Sequence, residues 1–326
     1  MDYKKIFETF NQQKVMIVGD VMVDAYLWGH VERISPEAPV PVVSVEKRAN
    51  RLGGAANVAL NVKSLGATPI PCAIIGKDTR GDEFRGLLEK RNITDDGIIT
   101  SKYRSTTTKF RIIGNNTQML RVDEETTYDL NDEEQNLFLK NCELVIKQHT
   151  PDVIVFEDYD KGLITTGVIN KITALANEAK IPVVADPKKK NFLNYKGLAL
   201  FKPNLKELKE GLNINELNTF NEIEKAIFKL QDQQKHGLVM VTLSDKGVMI
   251  SDGTEIVHLP AHYRSIADVS GAGDTVIGTL ALCLAQNLAI RDIAAISNLA
   301  GGLVCEHVGV VPVEKEKLLR EALRLL

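Results

Sequence analysis

Asp268-Val-Ser-Gly-Ala-Gly-Asp274, running on into Thr275-Val-Ile-Gly-Thr-Leu-Ala-Leu-Cys-Leu-Ala285, is the stretch on which the reading of this chain turns. Two glycines flank an alanine, a carboxylate follows at once, and an apolar, helix-like segment begins. Backbone N–H groups at such a turn point outward, and the dipole of the following helix adds partial positive charge. The turn is suited to cradling an anion, with Asp274 standing inside the cradle. A carboxylate beside an anion is electrostatically costly unless it has a task, such as taking a proton from a nucleophile that attacks a bound phosphate. Glycine-rich turns also enter buried helices with no ligand at all. Taken alone, the stretch leaves both readings open.

Outward from it, the chain reads as strands alternating with helices. Lys14–Gly19, Ile70–Gly76, Asp152–Phe156, Ile181–Ala185, Leu198–Phe201 and Leu238–Val241 are short apolar runs. Continuous apolar strands separated by helices argue for a parallel sheet covered on both faces. Helices are expected from Gly53-Gly54 to Leu65, over Thr79–Arg91, from an Asn131 cap to about Gln148, from Ile290 to about His307, and from Val313 onward. A hairpin is expected where Val248–Ile250 meets Glu255–Leu259.

Two segments, about 20–50 and 103–123, have a different texture. The first carries Pro36, Pro39 and Pro41, with an edge strand over Pro39–Val45. The second alternates polar and β-branched residues, Thr106–Ile113 and Gln118–Val122, joined through Gly114-Asn-Asn116 as a hairpin. Together they suggest a small sheet projecting from one α/β domain over 1–326.

Composition narrows the function. With 326 residues the chain can bury a large core, and 44% hydrophobic with 25% charged residues is ordinary for a globular protein. A net charge of −3 gives no basis for binding nucleic acid or an anionic membrane. Cys72, Cys142, Cys283 and Cys305 have neither zinc spacing nor a disulfide pattern, pointing to a reducing compartment. Met1-Asp-Tyr-Lys-Lys5 does not open a signal peptide, and the apolar run near 276–285 is too short to cross a membrane. A cytoplasmic protein without nucleic-acid or membrane partners is expected.

Ligands of open α/β sheets bind at the carboxyl ends of the parallel strands, and the unusual residues here follow strands. Asp20 and Asp24 follow the first, whose turn lacks the G-x-G-x-x-G of a dinucleotide site. Gly53-Gly54 with Asn57 offers bare amides and an amide side chain at a helix start, suited to a polyhydroxylated ligand or simply to close packing. Asn204-Leu-Lys-Glu207 places Asn204 and Glu207 on one face of a first helical turn. That spacing is equally a capping box. Glu157-Asp-Tyr-Asp-Lys161 and Asp186-Pro-Lys188 end further strands, and Arg111 and Arg121 can face the same side of the hairpin.

Three of these motifs, in order, resemble the PfkB/ribokinase family of carbohydrate kinases: Gly53-Gly-x-Ala-Asn-x-Ala59, Asn204-x-x-Glu207 and Asp268-x-x-Gly-Ala-Gly-Asp274. The resemblance covers essentially the whole chain. It implies a ribokinase-like three-layer sandwich around a mostly parallel sheet, with a projecting β-sheet lid. A narrower likeness, to members that phosphorylate O1 of D-glycero-β-D-manno-heptose 7-phosphate, lies in Gly19–Asp24, Arg33–Val42, Thr107–Lys109, Gln118–Asp123, Asp158-Tyr-x-Lys-Gly162 and Asp186–Lys188. One departure is the turn Ile113-Gly-Asn-Asn-Thr-Gln118, which is less basic than is usual in those members.

The resemblance also implies roles. Asp274 would be the general base, with the amides of Gly271, Ala272 and Gly273 as anion hole. Asn204, Leu205, Lys206 and Glu207 would lie at the ATP phosphates, Asn204 and Glu207 holding Mg2+ through water. Ser244 and Gly247 would lie near the nucleotide and Asn298 on its adenine side, while Asp24, Gly53, Gly54 and Asn57 would hold sugar hydroxyls. Lys109, Arg111, Arg121, Lys161, Asp186 and Lys188 would contact the substrate, the five cations serving its phosphate. ATP and Mg2+ are the implied cofactors, with a monovalent cation left open. A homodimer is expected, because the projecting sheet has an exposed edge. An adenylyltransferase, fused or separate, would act downstream. Two rival readings stand beside this one: a kinase for another sugar phosphate or a nucleoside, and a catalytically silent ligand-binding relative.

Overall fold

The computed structural model describes residues 1–262 and 264–326. Helix α1 (Tyr3–Phe10) and strand β1 (Lys14–Gly19) lead into two long strands, β2 (Val21–Ile34) and β3 (Pro41–Gly54), and helix α2 (Ala55–Ser64). There follow β4 (Thr68–Gly76), α3 (Thr79–Lys90), β5 (Gly97–Ser101), β6 (Thr108–Gly114), β7 (Thr117–Glu124) and α4 (Asp132–His149). Next come β8 (Val153–Glu157), α5 (Thr166–Glu178), β9 (Val183–Asp186), β10 (Leu200–Phe201), α6 (Leu205–Gly211) and α7 (Phe220–Gln234). The chain ends with β11 (Leu238–Thr242), β12 (Val248–Ser251), β13 (Ile256–Leu259), α8 (Ala272–Ala285), α9 (Ile290–Val304) and α10 (Lys315–Leu325).

The main sheet has nine strands in the order β13-β12-β11-β10-β9-β8-β1-β4-β5. From β11 to β5 the strands are parallel, and β12 and β13 add an antiparallel hairpin at one edge. Helices cover both faces, so the inner strands carry apolar residues without alternation, as in Val153–Phe156 and Val15–Val18, all fully buried. On one face α8 packs between α2 and α9. Every residue of α8 from Asp274 to Cys283 is buried, which is why its sequence is apolar all round. Helices α4 and α5 pack together on the other face. The result is the expected α/β sandwich of three layers.

The second sheet has four strands, β3-β2-β6-β7. Strand β2 pairs antiparallel with β3 and parallel with β6, and β6 turns back into β7 through Asn115 and Asn116, both at positive φ. Adjacent left-handed residues are what a two-residue hairpin turn requires. The proline-rich segment differs from its expectation. The short edge strand expected over Pro39–Val45 is one end of β3, whose partner β2 runs to Ile34. The segment of about 20–50 was expected in the small sheet, but no separate strand was singled out over Val21–Ile34, where Gly29, His30, Glu32 and Arg33 break the apolar alternation. Helix α1 was not expected either; Asp2 caps it, and Ile6, Phe7 and Phe10 seat it in the core.

Candidate active site

The carboxyl ends of β1, β8, β9 and β10 converge on the start of α8. Gly271 caps that helix at φ 80°, a left-handed conformation that favours glycine, and supplies no side-chain cap. The N–H of Gly273 has no hydrogen-bond partner among the described residues, while that of Ala272 reaches Val269 O at 3.3 Å. Space over Gly273 is open: a Cβ at that position would have Asp186 Oδ2 as its nearest neighbour, at 3.8 Å. Asp274, in the first turn, is 6% exposed.

Asp274 Oδ1 accepts a hydrogen bond from the Tyr159 hydroxyl at 2.7 Å. Burial lifts the Asp274 carboxyl to about 6; hydrogen bonds from Tyr159 and Asn57 hold it down, Asp186 pushes it up, and Lys202 opposes that. A carboxylate tuned to about 6 is ionised at neutral pH yet basic enough to accept a proton. Burial, and then the charge of Asp274, push the Tyr159 phenol well above its ordinary value, so it serves as a fixed donor.

Asp20 explains why Tyr159 is there. Its buried carboxylate accepts the backbone N–H groups of Tyr159 (3.0 Å), Lys161 (3.1 Å) and Leu163 (3.2 Å), fastening the loop after β8 to the end of β1. Burial raises the Asp20 carboxyl, and these hydrogen bonds oppose the shift.

A buried charge cluster lies alongside. Lys202 Nζ sits 2.6 Å from Asp186 Oδ2, with both side chains under 9% exposed. Glu157 is 2% exposed, and its Oε2 has no partner among the described residues. Burial first, and then Asp186 and Asp274, push its carboxyl well above the ordinary range, while Lys202 and Lys188 pull it back.

Asn204 and Glu207 form the reciprocal capping box of α6: Glu207 N donates to Asn204 Oδ1 at 2.9 Å and Asn204 N to Glu207 Oε2 at 2.8 Å. Glu207 Oε1 is paired with Lys188, whose own basicity the acids Asp186 and Glu207 raise against its burial. Asn204, Leu205, Lys206 and Ser244 line one open cavity of about 810 Å³. Gly247 and Asn298 lie outside its lining; Gly247 turns at φ 87° after Ser244, and Asn298 donates to Pro260 O at 2.9 Å.

At the root of the small sheet, Asp24 is paired with Arg111 and is 6% exposed. Gly53 lies against it, since any Cβ there would run into Asp24 Oδ2. Gly54 turns the chain into α2 at φ 61°, and Ala55 N donates to Asp20 O at 2.9 Å. Asp24 and Asn57 line a second cavity of about 330 Å³. Arg111 and Arg121 stand directly opposite each other on β6 and β7, on the same side as expected. The cations expected to meet a substrate phosphate are all engaged. Lys109 lies 3.0 Å from Asp123, Arg121 pairs with Asp123, and Lys161 lies 2.8 Å from Glu125.

No sequence motif assigned a role to Tyr159, Lys202, Glu157 or the clamp made by Asp20. Their signal was position, each at or just past the carboxyl end of a strand, with Asp20 and Tyr159 also inside stretches that carry the narrower resemblance.

Fold and site together describe a phosphotransferase of the ribokinase-like class. The profile described as pfkB family carbohydrate kinase matches residues 12–317, and the chain belongs to that family. Its curated relatives include the protein named Bifunctional protein HldE from Aliarcobacter butzleri (strain RM4018), 38% identical over 295 residues, which cover 90% of this chain and 61% of the relative. Another of that name, from Helicobacter pylori (strain P12), is 37% identical over 306 residues, 94% of this chain and 66% of the relative. The chain thus spans a little under two thirds of the length of these relatives. Among solved structures, phosphofructokinase-2 from Escherichia coli in complex with potassium superposes with a TM-score of 0.78 at 18% identity, covering 94% of this chain and 97% of that one. Arabidopsis thaliana ribokinase complexed with ribose and ATP gives 0.71 at 17% identity, covering 94% and 99%. These two likenesses speak to the fold. The protein is a carbohydrate kinase, transferring a phosphoryl group to an alcohol. Among the described residues, no helix is long and apolar enough to cross a membrane.

Proposed function

We propose that this chain phosphorylates D-glycero-β-D-manno-heptose 7-phosphate at O1 with ATP, giving the 1,7-bisphosphate used in ADP-heptose synthesis for lipopolysaccharide. The observation that carries the chemistry is Asp274: a buried carboxylate poised near 6, one residue beyond the unpartnered Gly273 amide. The sugar is supported by the motifs from Gly19 to Lys188 quoted above and by the relatives named Bifunctional protein HldE. The second activity of such a protein would be an adenylyltransferase acting downstream.

Asp24, Gly53, Gly54 and Asn57 hold the sugar's hydroxyls. Asp274 takes the proton of the attacking one, with Tyr159 fixing the carboxylate's direction. The amides of Gly271 to Gly273 face the charge that develops on the transferring group. Asn204 to Glu207 lie at the nucleotide's phosphates, Ser244 and Gly247 beside the nucleotide, and Asn298 toward its base. The donors at this end are oxygens, which suits a hard divalent cation that keeps its own water. Glu207 has both oxygens engaged, yet an ionised carboxylate offers about four lone-pair sites, so it fits as a holder of Mg2+ through water. The ion would neutralise phosphate charge there.

The four-stranded sheet is read as a lid over the sugar, within a single domain over 1–326. Its outward face carries Leu120 and Val122, 52% and 45% exposed, opposite Ile112 and Phe110. That exposed apolar face is what supports the expected homodimer, in which a second copy would cover it, in the cytoplasm.

Asp274→Asn is the direct test. It should fold and bind ATP but lose about a hundredfold or more in turnover, the scale of a general base; near-normal turnover would remove Asp274 from that role. Phosphorus NMR of the product from heptose 7-phosphate identifies the sugar and the carbon modified. No turnover of that sugar, with turnover of a hexose phosphate, would move the reading to another sugar-phosphate kinase.

A further inference from the structure

The cations expected at the substrate's phosphate are occupied by carboxylates. Lys109 has Asp123 and Glu125 within 3.7 Å, Arg111 has Asp24, Arg121 has Asp123, Lys161 has Glu125 and Lys188 has Glu207. A dianionic phosphate arriving there would have to displace those partners or share the cations with them, and carboxylates held in place would repel it. The network Lys109–Asp123–Arg121, extended through Glu125 to Lys161, joins three cations to two carboxylates and ties β6 and β7 to the loop after β8.

The 330 Å³ cavity is different. Its walls include Asp24 and Asn57, the residues assigned to sugar hydroxyls, and also Arg51 and Arg91. Among the described residues, neither arginine has a carboxylate within 4.0 Å, and neither guanidinium makes a hydrogen bond. Among the described residues Asp24 is the lone acid in the lining, and Arg111 already pairs with it. The cavity is therefore cationic, although its walls are half apolar: Leu52, Leu60, Leu87, Val310, Val311 and Pro312 supply a surface for a carbon skeleton. Its volume is at the lower end of the range for small-molecule sites, about 300–1,000 Å³.

Arg51 is placed rather than free. It stands across β2 and β3 from Asp24, so both side chains leave the same face of the sheet. Its guanidinium lies 5.0 Å from the centre of the Tyr26 ring, which Arg111 also approaches, at 5.2 Å. Stacking against an aromatic face orients the planar fork while leaving its N–H edges to a ligand. Arg91 follows the last turn of α3 and reaches the same cavity from the opposite element.

We propose that Arg51 and Arg91 form the subsite for a phosphate ester at the end of the sugar remote from the hydroxyl being phosphorylated. This rests on the reading of Asp274 as base and of Asp24 and Asn57 as sugar contacts. In it, Arg111 serves Asp24, and the Lys109, Arg121 and Lys161 network is structural.

The test is steady-state kinetics of Arg51→Gln, Arg91→Gln and the double variant, using heptose 7-phosphate and the same heptose without its phosphate. Each single variant should raise KM for the phosphorylated sugar about tenfold or more, the usual weight of a charge-assisted hydrogen bond. The double variant should lose more. KM for ATP and for the unphosphorylated sugar should stay within about twofold, and thermal unfolding should be unchanged because both side chains are exposed. Lys109→Gln should raise KM less than either arginine variant. An unchanged KM for the phosphorylated sugar would overturn the proposal, as would equal losses on both sugars. A rise confined to ATP would overturn it too, placing Arg51 at the nucleotide. The base is judged separately by Asp274→Asn. If the wild-type protein turns over a different sugar phosphate, the same pairing with its unphosphorylated form decides the role of the arginines.

Discussion

Replacing Tyr159 with phenylalanine removes one hydrogen bond and little else: the ring's place in the loop is set by the backbone bonds to Asp20, which the substitution does not touch. The lost bond is a neutral donor to a buried carboxylate, worth about 1.5–3 kcal/mol. It favours the ionised form of Asp274, so its loss must raise that carboxyl. At about 1.4 kcal/mol per pH unit, the rise is about one to two units, from near 6 to between 7 and 8. The assay is kcat/KM for the sugar phosphate across a pH series, which reports the free enzyme's base. The acid limb should move up by that amount. With a shift of about 1.5 units, activity at about pH 6.5 falls roughly eightfold, and above about pH 8.5 the variant recovers to within about twofold. A loss of equal size at every pH would mean Tyr159 is only a packing residue. An unmoved or lowered limb would show that the bond does not tune the base.

Three further outcomes can be checked. Glu207→Gln keeps a residue competent for the capping box, so stability should change little while the Mg2+ concentration for half-maximal rate rises; an unchanged titration would leave Asn204 and Glu207 as a helix cap alone. Glu157 has a folded-state carboxyl well above its unfolded value, so the folded protein holds its proton longer and stability falls as pH rises past about 4.5; Glu157→Gln should flatten that fall in a denaturant series, and an unaltered slope would refute the burial argument. Burial holds His236 down at about 4, so the unfolded chain protonates first and stability is lost as pH drops from about 6.5 toward 4; the loss should shrink in His236→Gln, measured by urea midpoints.

The parallel sheet was legible because buried strands must be apolar throughout, and runs such as Val153–Phe156 have few other readings. The hairpin at Asn115-Asn116 was legible from turn chemistry. Strand β2 was not, because one stretch of it lines the site and the rest stands clear of the main body; its side chains answer to ligand and solvent rather than to a period. The same cause hid Tyr159 and Lys202. Each is defined by a partner far along the chain, Asp274 and Asp186, and no local pattern carries that information. The engagement of Lys109, Arg121 and Lys161 was invisible for the same reason. Basic residues on a strand look alike until their acids are placed.

Trp28 is the chain's single tryptophan, and its ring stacks on Tyr26 at 5.1 Å, with Lys47 Nζ 5.2 Å from its centre. Tyr26 in turn forms part of the wall of the 330 Å³ cavity and carries Arg51 and Arg111. Emission from this protein under selective excitation therefore comes from one indole, separated by the single ring of Tyr26 from any ligand in that cavity. The molecule contains its own fluorescent reporter, sited so that occupancy can be followed in real time without a dye or a coupled enzyme.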